Sequence, residues 1–390
     1  MLELSNAPWT KRDGLAALTG ALGAENIRWV GGCVRDTLLR LEVHDVDCAT
    51  MHLPDEVMRL CKEAGIKVVP TGIDHGTVTA IFKDGPVEIT TLRHDVSTDG
   101  RRATVEFAME WREDAGRRDF TINALFAHPE TYEISDFFGG LDDLKARRVR
   151  FIGDASQRIR EDHLRILRYF RFQARFGADW DAQAVQACEK LSATLKGLSR
   201  ERVAMELLGI SALPHPHAAF AKMRELGVLD VILPETTAAQ LGQLEALIEN
   251  EAEQGFTPDP MRRLAALLPA LAPVAETVAA RLRLSKAQRA RLICAAERES
   301  ADADNPAALA YAVGTEGASD RLLLLGADAS AIKDWEPPRF PLKGGVIVER
   351  GVAAGPEVAR ILQEIERRWV AEGFPNEARV QQMLDDALSS

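Results

Sequence analysis

Asp45 and Asp47 stand one residue apart, shortly after two glycines, Gly31 and Gly32, that end a short apolar run containing Ile27, Trp29 and Val30. Residues i and i+2 of a strand project to one face, so both carboxylates reach one site. Their hard oxygens suit Mg²⁺. Glycine lets the backbone come close to a bulky anion, and the helix start beyond it (Val34, Arg35, Asp36) offers N–H groups to phosphate oxygens. A phosphate cradle beside a metal-binding Asp pair is the minimum equipment for phosphoryl or nucleotidyl transfer. Either element alone would be a glycine turn or a surface carboxylate pair.

The run GGCVRD (Gly31–Asp36) followed by Asp45-Val46-Asp47 resembles the GGxVRD…DxD signature of the class II CCA-adding tRNA nucleotidyltransferases and the bacterial poly(A) polymerases. Further matches follow in order: VEITTLR at 87–93, RRDFTINAL at 117–125, the EDxxR pattern of Glu161, Asp162 and Arg165, and the ERxxxEL pattern inside LSRERVAMELLGI at 198–210. The resemblance implies a small α/β head and a helical remainder. It also implies tRNA, CTP and ATP as partners, Asp45 and Asp47 as catalytic Mg²⁺ ligands, and Gly31, Gly32 and Arg35 at the triphosphate. Glu88 is either a third carboxylate of that site or an exposed strand residue, since two carboxylates already anchor a metal. His75 in DHGTV reads as turn structure.

Arg118 can grip triphosphate oxygens, because a guanidinium fork matches phosphate. Asp119 either accepts a ribose hydroxyl proton, favouring ribonucleotides, or caps the helix predicted from Thr121; Asn123 is likewise placed at the nucleotide by the resemblance, or bonds locally in that helix. The polar stretch Arg93–Phe107 resembles the flexible loop of members that add the terminal A; an ordinary long hairpin connection is the other reading.

Asp162 and Arg165 carry the sharpest inference. They stand at i and i+3 on one predicted helix, which sets them side by side. A carboxylate only accepts and a guanidinium only donates. Cytosine offers an amino donor beside N3 and O2 acceptors, and adenine an amino donor beside N1. Uracil and guanine present a carbonyl and a ring N–H at those places. Each mismatched contact costs about 1–3 kcal/mol by analogy with bidentate base readout. A protein edge of this kind selects C and A without a nucleic-acid template, which is what the motif does in the family. By the same resemblance Arg168 and Arg171 join Arg165 at the nucleotide; otherwise they bind tRNA phosphate or form surface pairs. Leu164, Leu167, Phe170 and Phe176 are expected to hold the other side in the core, and Arg202 and Glu206, on the last motif, to support the selecting helix.

Positioning these groups requires an α/β head. Strands are predicted at Ile27–Val30, Val46–Ala49, Lys67–Val69, Thr77–Lys83, Val87–Leu92 and Thr131–Ser135, and helices at Val34–Leu41, Asp55–Ala64 and Thr121–Ala127. From about Ser156 helical periodicity dominates. The expected fold is therefore an α/β nucleotidyltransferase head with a small mixed sheet, followed by an all-α neck, body and tail, divided at 1–150, 151–215 and 216–390. Pro-containing breaks at Pro214–Pro216, Thr257–Pro260 and Pro337–Pro341 mark subdivisions of the helical part. In the tail, Lys343, Gly344, Gly345 and Gly355 are expected at turns, meeting RNA backbone or simply packing.

The chain of 390 residues carries a net charge of −11, unevenly spread. Residues 145–175 hold ten Lys/Arg against three Asp/Glu, whereas residues 231–390 hold seventeen against twenty-four. A basic belt on an acidic protein can guide RNA to one face. Five scattered cysteines form no CxxC or Cys/His cluster, which argues against structural zinc and fits a reducing cytoplasm. No run approaches the length of a membrane span, and the start has no signal-peptide pattern. The oligomeric state is not legible. Among rivals, poly(A) polymerases often end in a long basic extension, and this chain ends acidic. An A-only adding enzyme stays open, and a noncatalytic RNA-binding module would have no use for the intact DxD, RRD and EDxxR.

Overall fold

The structure, a computed structural model, describes residues 4–99 and 102–389. Two units emerge: one built from the chain up to Glu206 together with Ala218–Ile232, the other from Leu207–His217 and Leu233 onward.

The first unit is organised on a seven-stranded sheet. Its strands are β1 (Ile27–Val30), β2 (Val46–Thr50), β3 (Lys67–Gly72), β4 (Thr77–Ile81), β5 (Val87–Thr91), β8 (Leu125–Ala127) and β9 (Ile134–Asp136), ordered β3-β4-β5-β2-β1-β8-β9. β2 and β5 run parallel and every other pair is antiparallel, so the sheet is mixed as expected. The parallel register places Asp47 beside Glu88. In β2 Val46 is buried and Asp47 half-buried, while Asp45 is exposed just before the strand, the alternation that a pleat imposes. Helices α1 (Asp13–Leu22), α2 (Gly32–Leu38) and α3 (Pro54–Glu63) belong to the same head.

Residues 121–127 depart from the predicted helix. Thr121–Asn123 is a single 3-10 turn, and Leu125–Ala127 is strand β8, buried throughout between β1 and β9. A short apolar run buried on both faces has no periodicity to separate strand from helix. Behind this turn lies Gly140, the first residue of α5 (Gly140–Lys145), where α4 denotes Trp111–Arg117. A Cβ there would stand 2.3 Å from the Thr121 carbonyl oxygen and 3.1 Å from Leu125 Cδ2. Gly140→Ala is therefore expected to destabilise the protein by about 1–3 kcal/mol, the cost of overpacking against backbone. An unchanged thermal midpoint would contradict this packing.

The stretch Arg93–Phe107 is a two-stranded antiparallel hairpin, β6 (Arg93–Asp99) with β7 (Arg102–Phe107). Its tip, Gly100 and Arg101, lies outside the described residues.

From Asp136 onward every named element is helical among the described residues. Residues 158–171 do not form the one helix that the EDxxR spacing requires for a shared face. Helix α6 (Ala155–Glu161) stops at Asp162, whose backbone is extended at φ −147°, ψ 107°, and α7 (Arg165–Phe176) starts three residues on. The Asp162 carboxylate accepts the Leu164 N–H at 3.1 Å. This local bond competes with helix continuation, as Asp side chains do at turns. Leu164, Leu167, Phe170 and Phe176 are buried as expected, and Ile166 and Tyr169 join them. The remaining helices in the order of the argument are α8 (Ala182–Leu191) and α9 (Arg200–Ser211).

In the second unit the segments 214–216 and 337–341 fall between helices, and Thr257–Pro260 leads into the helix Pro260–Ala266, of which Pro260 is the first residue. Gly344 and Gly345 open a helix (Gly344–Glu349) instead of a turn, while Gly355 precedes the helix Pro356–Ala371. The tail packs its own core from Ile347, Ile361, Ile365, Trp369, Val380 and Met383.

Candidate active site

A cleft of about 520 Å³ opens at the β1–α2 connection. Gly31 and Gly32 form one wall, with Arg35, Asp47, Arg118, Asp119 and Asn123 from the head, and Asp162, Arg165, Arg168 and Arg202 from the helices that follow. The sequence motifs thus converge on one polar space. Asp45, Glu88 and Arg171 do not line it, and Arg93, Arg117, Leu164 and Phe172 do.

Gly31 sits at φ +74°, a left-handed conformation that glycine adopts at no steric cost. A Cβ on it would lie 3.7 Å from Arg118 Nη1 and 4.0 Å from Asp47 Oδ2. The glycine therefore keeps open the gap between a cation and a carboxylate, where a phosphate beside a metal would fit. Asp47 is pushed up to about 6, by burial first and then by Glu88 and Asp45, with Arg118 and Arg35 opposing. A bound cation would relieve that repulsion, so the donor set fits a hard divalent ion. Among the described residues no three His, Cys, Asp or Glu gather closely enough to hold a metal unaided. Two carboxylates leave the other positions to phosphate oxygens and water, the manner in which Mg²⁺ is usually held.

Arg35 is buried. Its Nε donates to Asp36 Oδ1 at 2.7 Å and its Nη1 to Asn123 Oδ1 at 2.5 Å, and its guanidinium carbon lies 4.4 Å from the centre of the Phe176 ring. Asn123 Nδ2 donates in turn to Asp119 Oδ1 at 2.9 Å, which also accepts the Phe120 N–H. Asp119 Oδ2 takes Arg168 Nε at 2.8 Å and Nη2 as well. Four donors on one carboxylate match its lone-pair capacity. The structure therefore favours the local reading of Asp119 and Asn123: both organise the wall, and Asp119 anchors Arg168. Burial works to raise Asp119, but Arg168 and the hydrogen bonds hold it below the usual carboxylate range.

Asp162, in the break after α6, and Arg165, at the start of α7, line one cleft. Asp162 Oδ2 accepts from Arg202 Nη2 at 2.7 Å. Arg165 Nη1 donates to Glu161 Oε2 at 2.7 Å and to the Arg158 carbonyl at 3.0 Å, and Nη2 donates to the Arg117 carbonyl at 3.1 Å. These bonds take two of the roughly four acceptor sites of Asp162 and three of the five donors of Arg165. Capacity for a base edge is left on each. Arg171 turns instead to the buried Glu206 at 3.0 Å. Arg202 and Glu206 thus do not pair with each other along α9; they hold Asp162 and Arg171, which is the supporting role expected of that motif.

Asp114 was not legible as a site residue. It is buried behind the cleft and binds both Arg117 and Arg118. The signal was its spacing, three and four residues before two arginines on a short helix.

Residues 27–150 match the poly A polymerase head domain, and residues 180–240 match the probable RNA and SrmB-binding site of polymerase A. The mitochondrial CCA tRNA nucleotidyltransferase 1 of Mus musculus is 34% identical, aligned over 93% of this chain and 87% of its own length. The Homo sapiens protein of the same name is 35% identical over 94% and 88%. The CCA-adding enzyme of Oceanobacillus iheyensis is 40% identical over 57% of this chain and 54% of its own. Among solved structures, the Bacillus stearothermophilus CCA-adding enzyme in complex with CTP has a TM-score of 0.79 at 24% identity, covering 98% of both chains. The Thermotoga maritima CCA-adding enzyme complexed with tRNA has a TM-score of 0.71 at 21% identity, covering 96% and 94%. At those identities the structural likeness speaks to the fold. No helix among the described residues is long and apolar enough to cross a membrane.

Proposed function

The chain belongs to the CCA-adding tRNA nucleotidyltransferase family, and on that membership we propose that it extends the 3′ end of tRNA with CMP, CMP and AMP in turn. CTP and ATP are the donors, pyrophosphate leaves, and no nucleic-acid template is used. The observation that carries this reading is the convergence of Asp47, Gly31, Arg118, Asp162 and Arg165 on one cleft.

The tRNA 3′-hydroxyl gives up its proton to solvent as its oxygen attacks the α-phosphorus of the bound nucleotide. A new O–P bond forms, the bond to the bridging oxygen breaks, and that oxygen leaves with its electron pair on pyrophosphate. Members of the family use a divalent metal, which we assign as Mg²⁺ held by Asp45 and Asp47; when bound it supplies positive charge against the attacking and leaving oxygens. Glu88, beside Asp47 in the sheet, adds negative potential there and is an exposed strand residue in its contacts. Gly31 and Gly32 give the triphosphate close access to backbone, and Arg118 and Arg35 oppose its charge. Asp162 and Arg165 read the base. Arg168, fixed by Asp119, adds a cation to the same wall. We divide the chain into a head (1–150), a neck carrying the selecting residues (151–215) and a tRNA-binding body and tail (216–390). The five cysteines are free, which agrees with a reducing compartment; we assign the cytoplasm.

The direct test uses tRNA transcripts that end before CCA, after the first C and after CC, each with CTP or ATP alone. CMP addition to the first two and AMP addition to the third is the expected pattern. AMP addition alone would mark an A-only enzyme, and runs of A on unrelated RNA a poly(A) polymerase.

We read the β6–β7 hairpin as the family's loop for terminal A addition, on the resemblance of its sequence. Deleting or stiffening Asp95–Ala103 is expected to impair AMP addition more than CMP addition, because the pocket must rearrange for the larger base. Equal losses with CTP and ATP would contradict that role.

A further inference from the structure

One of the buried carboxylates that the mechanism above does not use lies beside the cleft arginines. Asp114 in α4 is 1% exposed. Its Oδ2 accepts from Arg118 Nη2 at 2.9 Å and Nε at 3.2 Å. Its Oδ1 accepts from Arg117 Nε at 2.7 Å and, at 3.4 Å, from the backbone N–H of Arg93, the first residue of the hairpin. One negative charge therefore holds together two adjacent guanidinium groups that would otherwise repel.

The choice of edge matters. A guanidinium presents a rigid planar fork. Asp114 occupies the Nε/Nη2 edge of Arg118, which leaves Nη1 on the side of Gly31 and Asp47. That is the wall where phosphate would lie. Arg117, held by the other carboxylate oxygen, offers its carbonyl to Arg165 Nη2 at 3.1 Å. Asp114 thus stands one step from the triphosphate cation, one step from the hairpin base and two steps from the base-reading arginine.

We propose that Asp114 is a positioning residue for the nucleotide: it aims the free edge of Arg118 at the triphosphate and registers the hairpin base to that edge. The assignment rests on the nucleotidyl-transfer reading of the cleft. The group is ionised in this setting. Burial, the largest influence, works to raise it, but Arg118 and Arg117 hold it below the usual carboxylate range.

A residue that serves Arg118 matters in proportion to the phosphate on the ligand, whereas a residue that merely stabilises the fold does not distinguish ligands. The experiment is equilibrium binding of CTP and CMP to the purified wild-type protein and to Asp114→Asn, which keeps the shape and removes the charge. The expected result is a CTP Kd raised on the order of tenfold to a hundredfold, the range for a lost charged hydrogen bond, with CMP affinity changed by less than about threefold. Wild-type affinity for CTP in the Asn variant, or equal losses for CTP and CMP, would overturn the proposal. Should that variant fail to fold, Asp114→Glu keeps the charge and displaces it by one methylene. It is expected to show a smaller loss with the same preference for CTP over CMP, and unchanged CTP binding there would also overturn it. A wild-type protein that binds neither nucleotide would sink the functional reading instead.

Discussion

Asp47→Ala is expected to abolish nucleotide addition, with a loss of at least about a thousandfold in single-turnover rate: on the proposed metal role several kcal/mol of charge stabilisation goes with the ion, and each 1.4 kcal/mol is tenfold. Asp45→Ala is expected to do the same, while tRNA binding by either variant stays within a few-fold of wild type. The reason lies in the placement of the pair. Asp47 sits at the mouth of the cleft, flanked in the sheet by Glu88 and preceded by Asp45. Burial and these like charges push it up to about 6. Nothing in folding asks for a carboxylate there. Asp47→Asn should therefore keep a thermal midpoint at or above the wild-type value while losing activity, a separation of stability from function that a structural role could not give. A near-wild-type rate in Mg²⁺ for either alanine variant would remove the metal assignment. Chelation of divalent ions from the wild-type protein should stop addition in the same way, and restored Mg²⁺ should recover it.

The legibility of this site in sequence has a physical pattern. Residues placed by local spacing are legible in the sequence. Gly31 needs a positive φ, β1 begins and ends where its apolar run does, and Asp47 falls on the strand that follows. What the spacing could not carry was the backbone between Glu161 and Arg165. The intervals there fit a helix, and the apolar positions on either side fit one too, yet the Asp162 carboxylate takes the Leu164 N–H and breaks it. A local hydrogen bond of a side chain to its own backbone leaves no periodic trace. The partners of the charged residues were equally hidden. Arg35 reaches Asn123 and Arg168 reaches Asp119 across long stretches of chain, so each motif looked self-sufficient when two of them share a wall. Asp114 is hidden for a different reason. A carboxylate on a short polar helix reads as surface, and only its burial shows that it serves the arginines behind the cleft. Leu125–Ala127 was mistaken for helix because a strand covered on both sides looks uniformly apolar.

Asp162 and Arg165 give the second large effect, and the break between their helices changes how it should be tested. The two do not stack on one helical face, so the edge they offer is set by what holds each of them. Arg202 holds one oxygen of Asp162; Glu161 and two backbone carbonyls hold Arg165. Asp162→Ala should slow CTP and ATP and raise the relative use of UTP and GTP, because a uracil or guanine carbonyl no longer meets a negative charge. The mismatch that is removed amounts to about 1–3 kcal/mol, so the ratio of kcat/KM between correct and incorrect bases should fall roughly five- to hundredfold. The alanine also strips Arg202 of a partner and α7 of a turn bond, which alone could slow the enzyme. Asp162→Asn separates the two effects. It keeps the shape and supplies a donor where the carboxylate accepted, so it should favour UTP and GTP more than alanine does. Arg165→Ala should instead lose activity with all four nucleotides, since a ring acceptor loses its donor and the wall loses a cation. The measurement is kcat/KM for CTP and UTP on a tRNA ending before CCA, and for ATP and GTP on one ending after CC, in all three variants. If both Asp162 variants slow every nucleotide by a common factor, Asp162 only holds the turn, and base choice in this protein must be made by other groups in the cleft.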